Sequence, residues 1–211
     1  MEAKFWHQRW EKNEIGFHEP KPNPLLVKHS HCLELKKHSR VFVPLCGKTL
    51  DIGWLLSKGV RVAGAELSKI AIDQLFTQLR LKPAIRKIGA SLHYTAANID
   101  IFVGDIFRLT PQRLGRIDAI YDRAALVALP PQLRKRYTAH ITRLTKNAPQ
   151  LLVTFEYDQS LRPGPPFSIN NPELVRHYAK KYDLALLASS PLRGGLRTVP
   201  ATENLWLLSP K

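Results

Sequence analysis

Residues 40–68 read RVFVPLCGKTLDIGWLLSKGVRVAGAELS, and this stretch decides the fold. The apolar run RVFVP (40–44) predicts a buried strand, and a helical pattern over residues 49–58 follows it. Gly59 is placed to end that helix, and VRVAGAEL (60–67) predicts a second strand. Strands that alternate with helices in this way predict an α/β fold with a doubly wound, largely parallel sheet.

The alternation continues to the end of the chain. Ser68 can cap a helix that runs to about Leu79, Pro130-Pro131 opens one that runs to about residue 145, and Asn171-Pro172 starts another. Further strands are predicted at residues 92–95, 99–105, 117–122, 150–158, 184–189 and 205–209. The sequence does not decide the secondary structure of the remainder of residues 80–95. Because no helix separates the last two strands, they predict an antiparallel edge of the sheet.

The composition bounds the class of protein. A length of 211 residues and 44% apolar residues suit one folded domain, residues 1–211, that needs no disulfide or metal. The two cysteines, Cys32 and Cys46, form no zinc-binding pattern. No signal peptide and no membrane span are recognisable, so we expect a soluble cytoplasmic protein.

The net charge of +15 raises two interpretations. It suits a nucleic acid or another anionic partner. Alternatively, the small basic groups at 36–37, 134–136 and 180–181 are the solvated faces of predicted helices. The second interpretation is favoured, because the sequence has no long basic tail and no nucleic-acid-binding signature.

The letters GKT at 47–49 resemble the end of a phosphate-binding P-loop. Such a loop needs a further glycine five residues before Gly47, but that position is Phe42, inside the predicted strand. The turn is therefore too short to wrap a triphosphate. The dinucleotide fingerprint G-x-G-x-x-G is also absent.

Glu66 indicates a different ligand. It ends the second predicted strand, 19 residues after Gly47, where an acid accepts hydrogen bonds from ribose hydroxyls. S-adenosylmethionine has a ribose and an adenine but no phosphate, so it suits this turn, and Asp105-Ile106 after the next strand would meet its adenine. Otherwise, Glu66 is an exposed carboxylate or pairs with a lysine.

The residues so far resemble one known family, the thiopurine S-methyltransferases in their bacterial form. The resemblance covers nearly the whole chain and rests on FWHQRWEKNEIGFH (5–18), residues 40–68, GDIFRLTP (104–111), YDRAALVALPP (121–131), FEYDQ (155–159) and PGPPFS (163–168). It implies a class I methyltransferase fold, with a seven-stranded mixed sheet, helices on both faces and a lid in the N-terminal part (1–39) that precedes the α/β core (40–211). It also implies that members are monomers.

The resemblance assigns roles to individual residues. Trp10 would pack on S-adenosylmethionine, with Trp6 and Phe17 nearby. Leu45, Cys46 and Gly47 would lie against the methionine part of S-adenosylmethionine. Glu66 would hold the ribose, Ile106 would cover the adenine, and Arg123 would lie between the cofactor and the methyl acceptor. Each role has a structural alternative: an ordinary helix face for the tryptophans, core packing for Leu45 and Cys46, and a salt bridge for Arg123.

The implied activity is methyl transfer from S-adenosylmethionine to the sulfur of a small aromatic or heterocyclic thiol, with S-adenosylhomocysteine as product. Selenium and tellurium compounds are further acceptors that the resemblance suggests. Pro165-Pro166-Phe167 is interpreted as a wall of the acceptor pocket, because Gly164 before it offers no acceptor side chain for an amine. The family also has an arginine near the C-terminus, for which Arg193 and Arg197 are both candidates.

No metal is expected. The competing hypotheses are a methyltransferase of RNA or another polyanion, and a basic nucleic-acid-binding module without activity.

Overall fold

The structure, a computed structural model, describes residues 3–211. The helices are α1 (Ala3–Glu11), α2 (Pro24–His29), α3 (Leu50–Ser57), α4 (Lys69–Gln78), α5 (Pro111–Leu114), α6 (Pro131–Leu144) and α7 (Asn171–Tyr178). The strands are β1 (Arg40–Pro44), β2 (Arg61–Glu66), β3 (Ala84–Ile88), β4 (Ser91–Ala96), β5 (Ile99–Val103), β6 (Ala119–Arg123), β7 (Gln150–Tyr157), β8 (Tyr182–Pro191) and β9 (Ala201–Pro210).

In the described residues these strands form one mixed sheet in the order β3-β4-β5-β2-β1-β6-β7-β9-β8. The five strands from β5 to β7 in this order are parallel. β9 runs antiparallel between β7 and β8, which confirms the predicted antiparallel end. The strand order reverses at β1, which pairs with β2 on one side and β6 on the other, so a ligand crevice is expected at the carboxyl end of β1.

The expectation of seven strands was wrong, because the sheet has nine. The extra pair is β3 and β4, which extends the sheet beyond β5 by antiparallel pairing. β4 contains the predicted strand 92–95, and Asn98 at φ 61° lies in the turn to β5. β3 has four exposed residues out of five, so it lacks the alternation of apolar and polar residues that identifies a strand in a sequence.

The helix caps agree with the sequence analysis to within a residue. The Ser68 hydroxyl accepts a hydrogen bond from the N–H of Ala71 at 3.3 Å and begins α4, as predicted. The cap of α7 is Asn170, whose side chain accepts from the N–H of Glu173 at 3.0 Å. Because Asn171-Pro172 was expected to cap and open this helix, the cap lies one residue earlier than predicted.

Apolar side chains cover both faces of the sheet. One layer contains residues of α6 and α7, including Tyr137, Ile141 and Tyr178. The other contains residues of α3 and α4, together with Leu26 from α2. Leu26 is completely buried. The N-terminal part of the chain therefore contributes α2 to the core, whereas α1 packs against α4.

Candidate functional site

The loop after β1 lies directly against β2. The N–H of Cys46 donates to the carbonyl of Ala65 at 3.1 Å. Leu45 (φ 45°) and Gly47 (φ 50°) both have left-handed backbone conformations, which are rare for a residue as large as leucine. A Cβ atom on Gly64 would lie 3.0 Å from the Cys46 sulfur, so β2 needs glycine opposite this loop. The left-handed conformations of Leu45 and Gly47 let the chain turn tightly at the carboxyl end of β1.

Cys46 is a packing residue. Its side chain is buried. Burial raises the pKa of the Cys46 thiol well above its usual value, and the nearby Glu66 carboxylate raises it further. The sulfur therefore stays protonated and is a poor nucleophile.

Glu66 ends β2 beneath this loop, and its carboxylate is buried. One carboxylate oxygen accepts the N–H of Gly47 at 2.8 Å, and the other accepts the N–H of Ser68 at 2.9 Å. Burial raises the pKa of Glu66, while the N–H groups of Ser68 and Gly47 oppose that rise. Since each carboxylate oxygen has two lone pairs, each can accept one more donor, which is what a vicinal diol provides.

Three aromatic residues of the N-terminal segment form an aromatic cluster over the loop: Trp6, Trp10 and Phe17. The ring centroid of Phe17 lies 5.7 Å from that of Trp10 and 5.9 Å from that of Trp6. A Cβ atom on Gly47 would lie 3.1 Å from Cζ2 of Trp10, which is buried. The structure thus brings Trp10, Gly47 and Glu66 together.

A cleft of about 410 Å³ opens beside the carboxyl end of β5. It is lined by His7, Leu67, Ala90, Leu92, Val103, Gly104, Asp105 and Arg108. Asp105 caps the following turn, since its carboxylate accepts the N–H of Phe107 at 2.9 Å. Ile106 is 5% exposed and lies among the core residues behind the cleft.

Arg123 ends β6, on the other side of the loop. Its guanidinium Nη2 lies 3.2 Å from Oε1 of Glu19, and its side chain is 11% exposed. Its Nε is buried and has no hydrogen-bond partner among residues 3–211. Glu203 of β9 lies close enough for Arg123 to oppose the rise that burial causes in the pKa of Glu203.

Phe167 packs against the segment that follows β6. Its N–H donates to the carbonyl of Val127 at 2.6 Å, in the segment that follows β6. A Cβ atom on Gly164 would lie 2.6 Å from the Phe167 ring, so the absence of a side chain there makes room for it. The Arg134 guanidinium lies 5.7 Å from the centroid of the same ring.

The two arginines between β8 and β9 are both exposed, but they differ in position. A Cβ atom on Gly16 would lie 3.6 Å from Nη2 of Arg197. Arg197 therefore contacts the N-terminal loop next to Phe17, which distinguishes it from Arg193.

Two buried aspartates organise these segments, and their hydrogen-bonding roles were not predicted from the sequence. Asp51 accepts hydrogen bonds from the N–H of Asn23 at 2.6 Å and the Tyr121 hydroxyl at 3.1 Å, so it joins the N-terminal loop to β6. Asp122 accepts from the N–H of Leu126 at 3.1 Å. The available signal for Asp51 was its position two residues after Thr49, in the first turn of α3.

The side chains of Lys48 and Thr49 in the GKT sequence form hydrogen bonds within the protein. Lys48 donates to the side chain of Gln74 at 2.9 Å, and Thr49 caps α3 through the N–H of Asp51. Within residues 3–211, no group of three or more His, Cys, Asp or Glu side chains is arranged to hold a metal ion. No helix in that range combines the length and the apolar character that crossing a membrane would require.

Comparison with solved structures defines the class of protein. A SAM-dependent methyltransferase from Anabaena variabilis superposes with a TM-score of 0.64 at 15% identity and covers 99% of this chain and 95% of its own. A 1,6-didemethyltoxoflavin-N1-methyltransferase from Burkholderia thailandensis, solved with S-adenosylhomocysteine, gives a TM-score of 0.66 at 15% identity, with coverage of 98% and 87%. The fold is therefore that of the class I methyltransferases.

Sequence comparison then gives the family. The model of the family described as Thiopurine S-methyltransferase (TPMT) matches residues 1–193. The thiopurine S-methyltransferase of Xanthobacter autotrophicus is 53% identical over 210 residues, covering 99% of both chains. That of Teredinibacter turnerae is 51% identical over 210 residues, covering 99% of this chain and 98% of its own. The chain belongs to the thiopurine S-methyltransferase family, whose members depend on S-adenosylmethionine.

Proposed function

We propose that the protein transfers the methyl group of S-adenosylmethionine to the sulfur of a small aromatic or heterocyclic thiol, and that selenium and tellurium compounds are further acceptors. The observation that carries this proposal is the buried Glu66 carboxylate, which accepts the N–H of Gly47 beneath Trp10 and directly precedes Leu67 in the wall of the cleft. When bound, S-adenosylmethionine supplies an electrophilic methyl carbon on a sulfonium sulfur.

The residues present fit this cofactor. Glu66 keeps one accepting position on each oxygen for the two ribose hydroxyls. Leu45 and Gly47, which have left-handed backbone conformations, would contact the amino-acid part of S-adenosylmethionine. Trp10 would exclude water from the same part of the site. Asp105 on the cleft wall, with Ile106 next to it in a small adjoining pocket, would meet the adenine.

The acceptor would lie between Arg123, Phe17 and Phe167. A guanidinium that is almost completely buried favours the thiolate over the neutral thiol, because charge interactions are stronger away from water. The thiol proton leaves to solvent, and the sulfur then forms its bond to the methyl carbon as the carbon–sulfonium bond breaks. Alignment and exclusion of water are the main contributions of the protein, so no general base is required.

We also propose that the chain acts as a single cytoplasmic domain and a monomer, like the family members that it resembles. A nucleic-acid acceptor is not part of the proposal. The +15 charge makes RNA the appropriate competing substrate in any assay of the protein.

The test is a methyl-transfer assay with an aromatic thiol, selenite and bulk RNA, in which S-adenosylhomocysteine is quantified. We expect transfer to the thiol and none to RNA. Calorimetry should also detect binding of S-adenosylhomocysteine. Transfer to RNA alone, or an absence of cofactor binding, would overturn the proposal.

Replacing Glu66 tests the cofactor site directly. Glu66→Gln keeps the shape of the side chain but removes the charge and one acceptor, so S-adenosylhomocysteine should bind more weakly by about 1–3 kcal/mol. Glu156→Gln, at an exposed position on β7, is the control and should bind normally. An unchanged affinity in the Glu66 variant would refute the ribose role.

A further inference from the structure

Arg123 forms an ion pair with a carboxylate of the protein itself. The Glu19 carboxylate lies 3.2 Å from its guanidinium. The two partners differ in accessibility, because 54% of the Glu19 side chain but only 11% of the Arg123 side chain is exposed. The arginine is therefore fixed in the protein, whereas the glutamate can leave the pair for water.

The loop that carries Glu19 is held at both ends. Phe17 on one side belongs to the aromatic cluster over the 45–47 loop. On the other side, the N–H of Asn23 donates to the buried Asp51 at 2.6 Å. A rotation of the Glu19 side chain can thus release Arg123 without moving the loop.

We propose that Glu19 is a specificity-determining residue, whose carboxylate competes with the anionic sulfur of the acceptor for Arg123. This inference rests on the proposed function and deepens it. An ionised acceptor takes the position of the Glu19 carboxylate on the guanidinium, and the displaced side chain turns into solvent. A neutral molecule of the same shape gains nothing from that exchange.

The charges around Arg123 explain why the competition matters. Glu203 supplies a second carboxylate near the same guanidinium, and His18 lies within reach of the Arg123 charge. With Glu19 in place, the arginine has no excess positive charge to offer an anion. Removing the charge of Glu19 takes away one of these two negative charges, so an anionic acceptor meets less repulsion and no competing carboxylate on the guanidinium.

A binding experiment tests Glu19 independently of catalysis. The probe is 4-nitrophenol, which carries oxygen in place of sulfur, ionises near neutral pH and reports its ionisation by absorption. It is titrated into the protein with S-adenosylhomocysteine, above and below the pH at which it ionises. Glu19→Gln should bind the phenolate roughly three- to tenfold more tightly than the wild type, with no change for the neutral phenol.

Glu14→Gln is the matched control. Glu14 lies in the same N-terminal segment, is 52% exposed and pairs with Arg9 at 3.4 Å. Its replacement removes the same charge without touching Arg123, so its phenolate affinity should equal that of the wild type. Equal affinities in the Glu19 variant and the wild type, or equal changes for phenol and phenolate, would overturn the inference.

Kinetics separate this inference from the proposed function. For an aromatic thiol, Glu19→Gln should lower KM and move the acid limb of the kcat profile to lower pH, because the bound thiolate is favoured. If the wild type methylates no thiol but the variant binds phenolate more tightly, the proposed function fails and the role of Glu19 stands. If the wild type methylates thiols and the phenolate affinities are equal, only the role of Glu19 fails.

Discussion

Two buried carboxylates lie at the carboxyl ends of β2 and β6, the strands on either side of β1, and their partners give them different tasks. Asp122 of β6 accepts from the N–H of Leu126 at 3.1 Å and from the Tyr137 hydroxyl at 2.7 Å. The first partner lies in the segment after β6 and the second in the middle of α6, so Asp122 ties both to the backbone beside Arg123. Glu66 of β2 also binds backbone N–H groups, but the residue after it, Leu67, lines a cleft that can admit a ligand with further donors.

The pH dependence of stability should report Asp122. Burial raises its pKa from 3.8 to about 6 in the folded protein, opposed by the hydrogen bond from Tyr137. The folded state then binds a proton more tightly than the unfolded state, so the free energy of unfolding should fall as the pH rises from about 4 to about 6. The full contribution is about 3 kcal/mol.

Asp122→Asn removes this titration while keeping an acceptor for the N–H of Leu126. Urea unfolding of both proteins should therefore give a difference in free energy that changes across this pH range and is constant above about pH 7. A difference that is the same at every pH would contradict the assignment and attribute the pH dependence to other groups.

At the scale of elements, the contact between α1 and the 45–47 loop depends on Gly47. A Cβ atom there would lie 3.1 Å from Trp10, and the residue has φ 50°. Gly47→Ala should therefore cost about 1–2 kcal/mol of stability from backbone strain and should also displace Trp10. Tryptophan fluorescence and S-adenosylhomocysteine affinity measure the displacement.

Gly194→Ala separates the effect of backbone strain from that of displacing Trp10. Gly194 has φ 74°, but nothing lies within 4 Å of the position of its Cβ. This variant should lose a similar amount of stability, yet retain the fluorescence and the cofactor affinity of the wild type. If both variants bound the cofactor equally well, the Trp10 contact would have no part in binding.

The sequence predicts those elements whose cause is local. The buried strands around residues 40–68 and the cap at Ser68 follow from runs of apolar residues and from capping chemistry, and the structure confirms them. β3 could not be predicted, because an exposed edge strand needs no apolar pattern and is held by pairing with β4.

In the candidate site, too, only relations between residues close in the sequence could be predicted. Glu66 and Gly47 were found from their spacing along one strand–helix–strand unit, and the structure joins them by a hydrogen bond of 2.8 Å. The pair between Glu19 and Arg123 joins distant parts of the chain, and neither residue has a local pattern that indicates the other. Contacts of this kind depend on the path of the loop, which the sequence alone does not determine.

At the scale of the whole molecule, the positive charge has few internal partners. Ion pairs in the described part of the chain engage seven of the 32 lysines and arginines. Exposed basic residues include Arg86 and Lys87 on β3, Lys135 and Arg136 on α6, and the pair Lys180-Lys181. Mutual repulsion between such groups should oppose the compact state.

Salt should therefore stabilise this protein. Raising NaCl from about 10 mM to about 300 mM shortens the range of charge interactions from about 30 Å to less than 10 Å, which weakens the repulsion more than the short ion pairs. We expect a gain of about 1 kcal/mol, or about 2–4 °C in Tm for a domain of this size. Replacing both Lys180 and Lys181 with Gln lowers the net charge by two and should reduce the gain. A Tm that falls with salt would show instead that the existing ion pairs outweigh the repulsion.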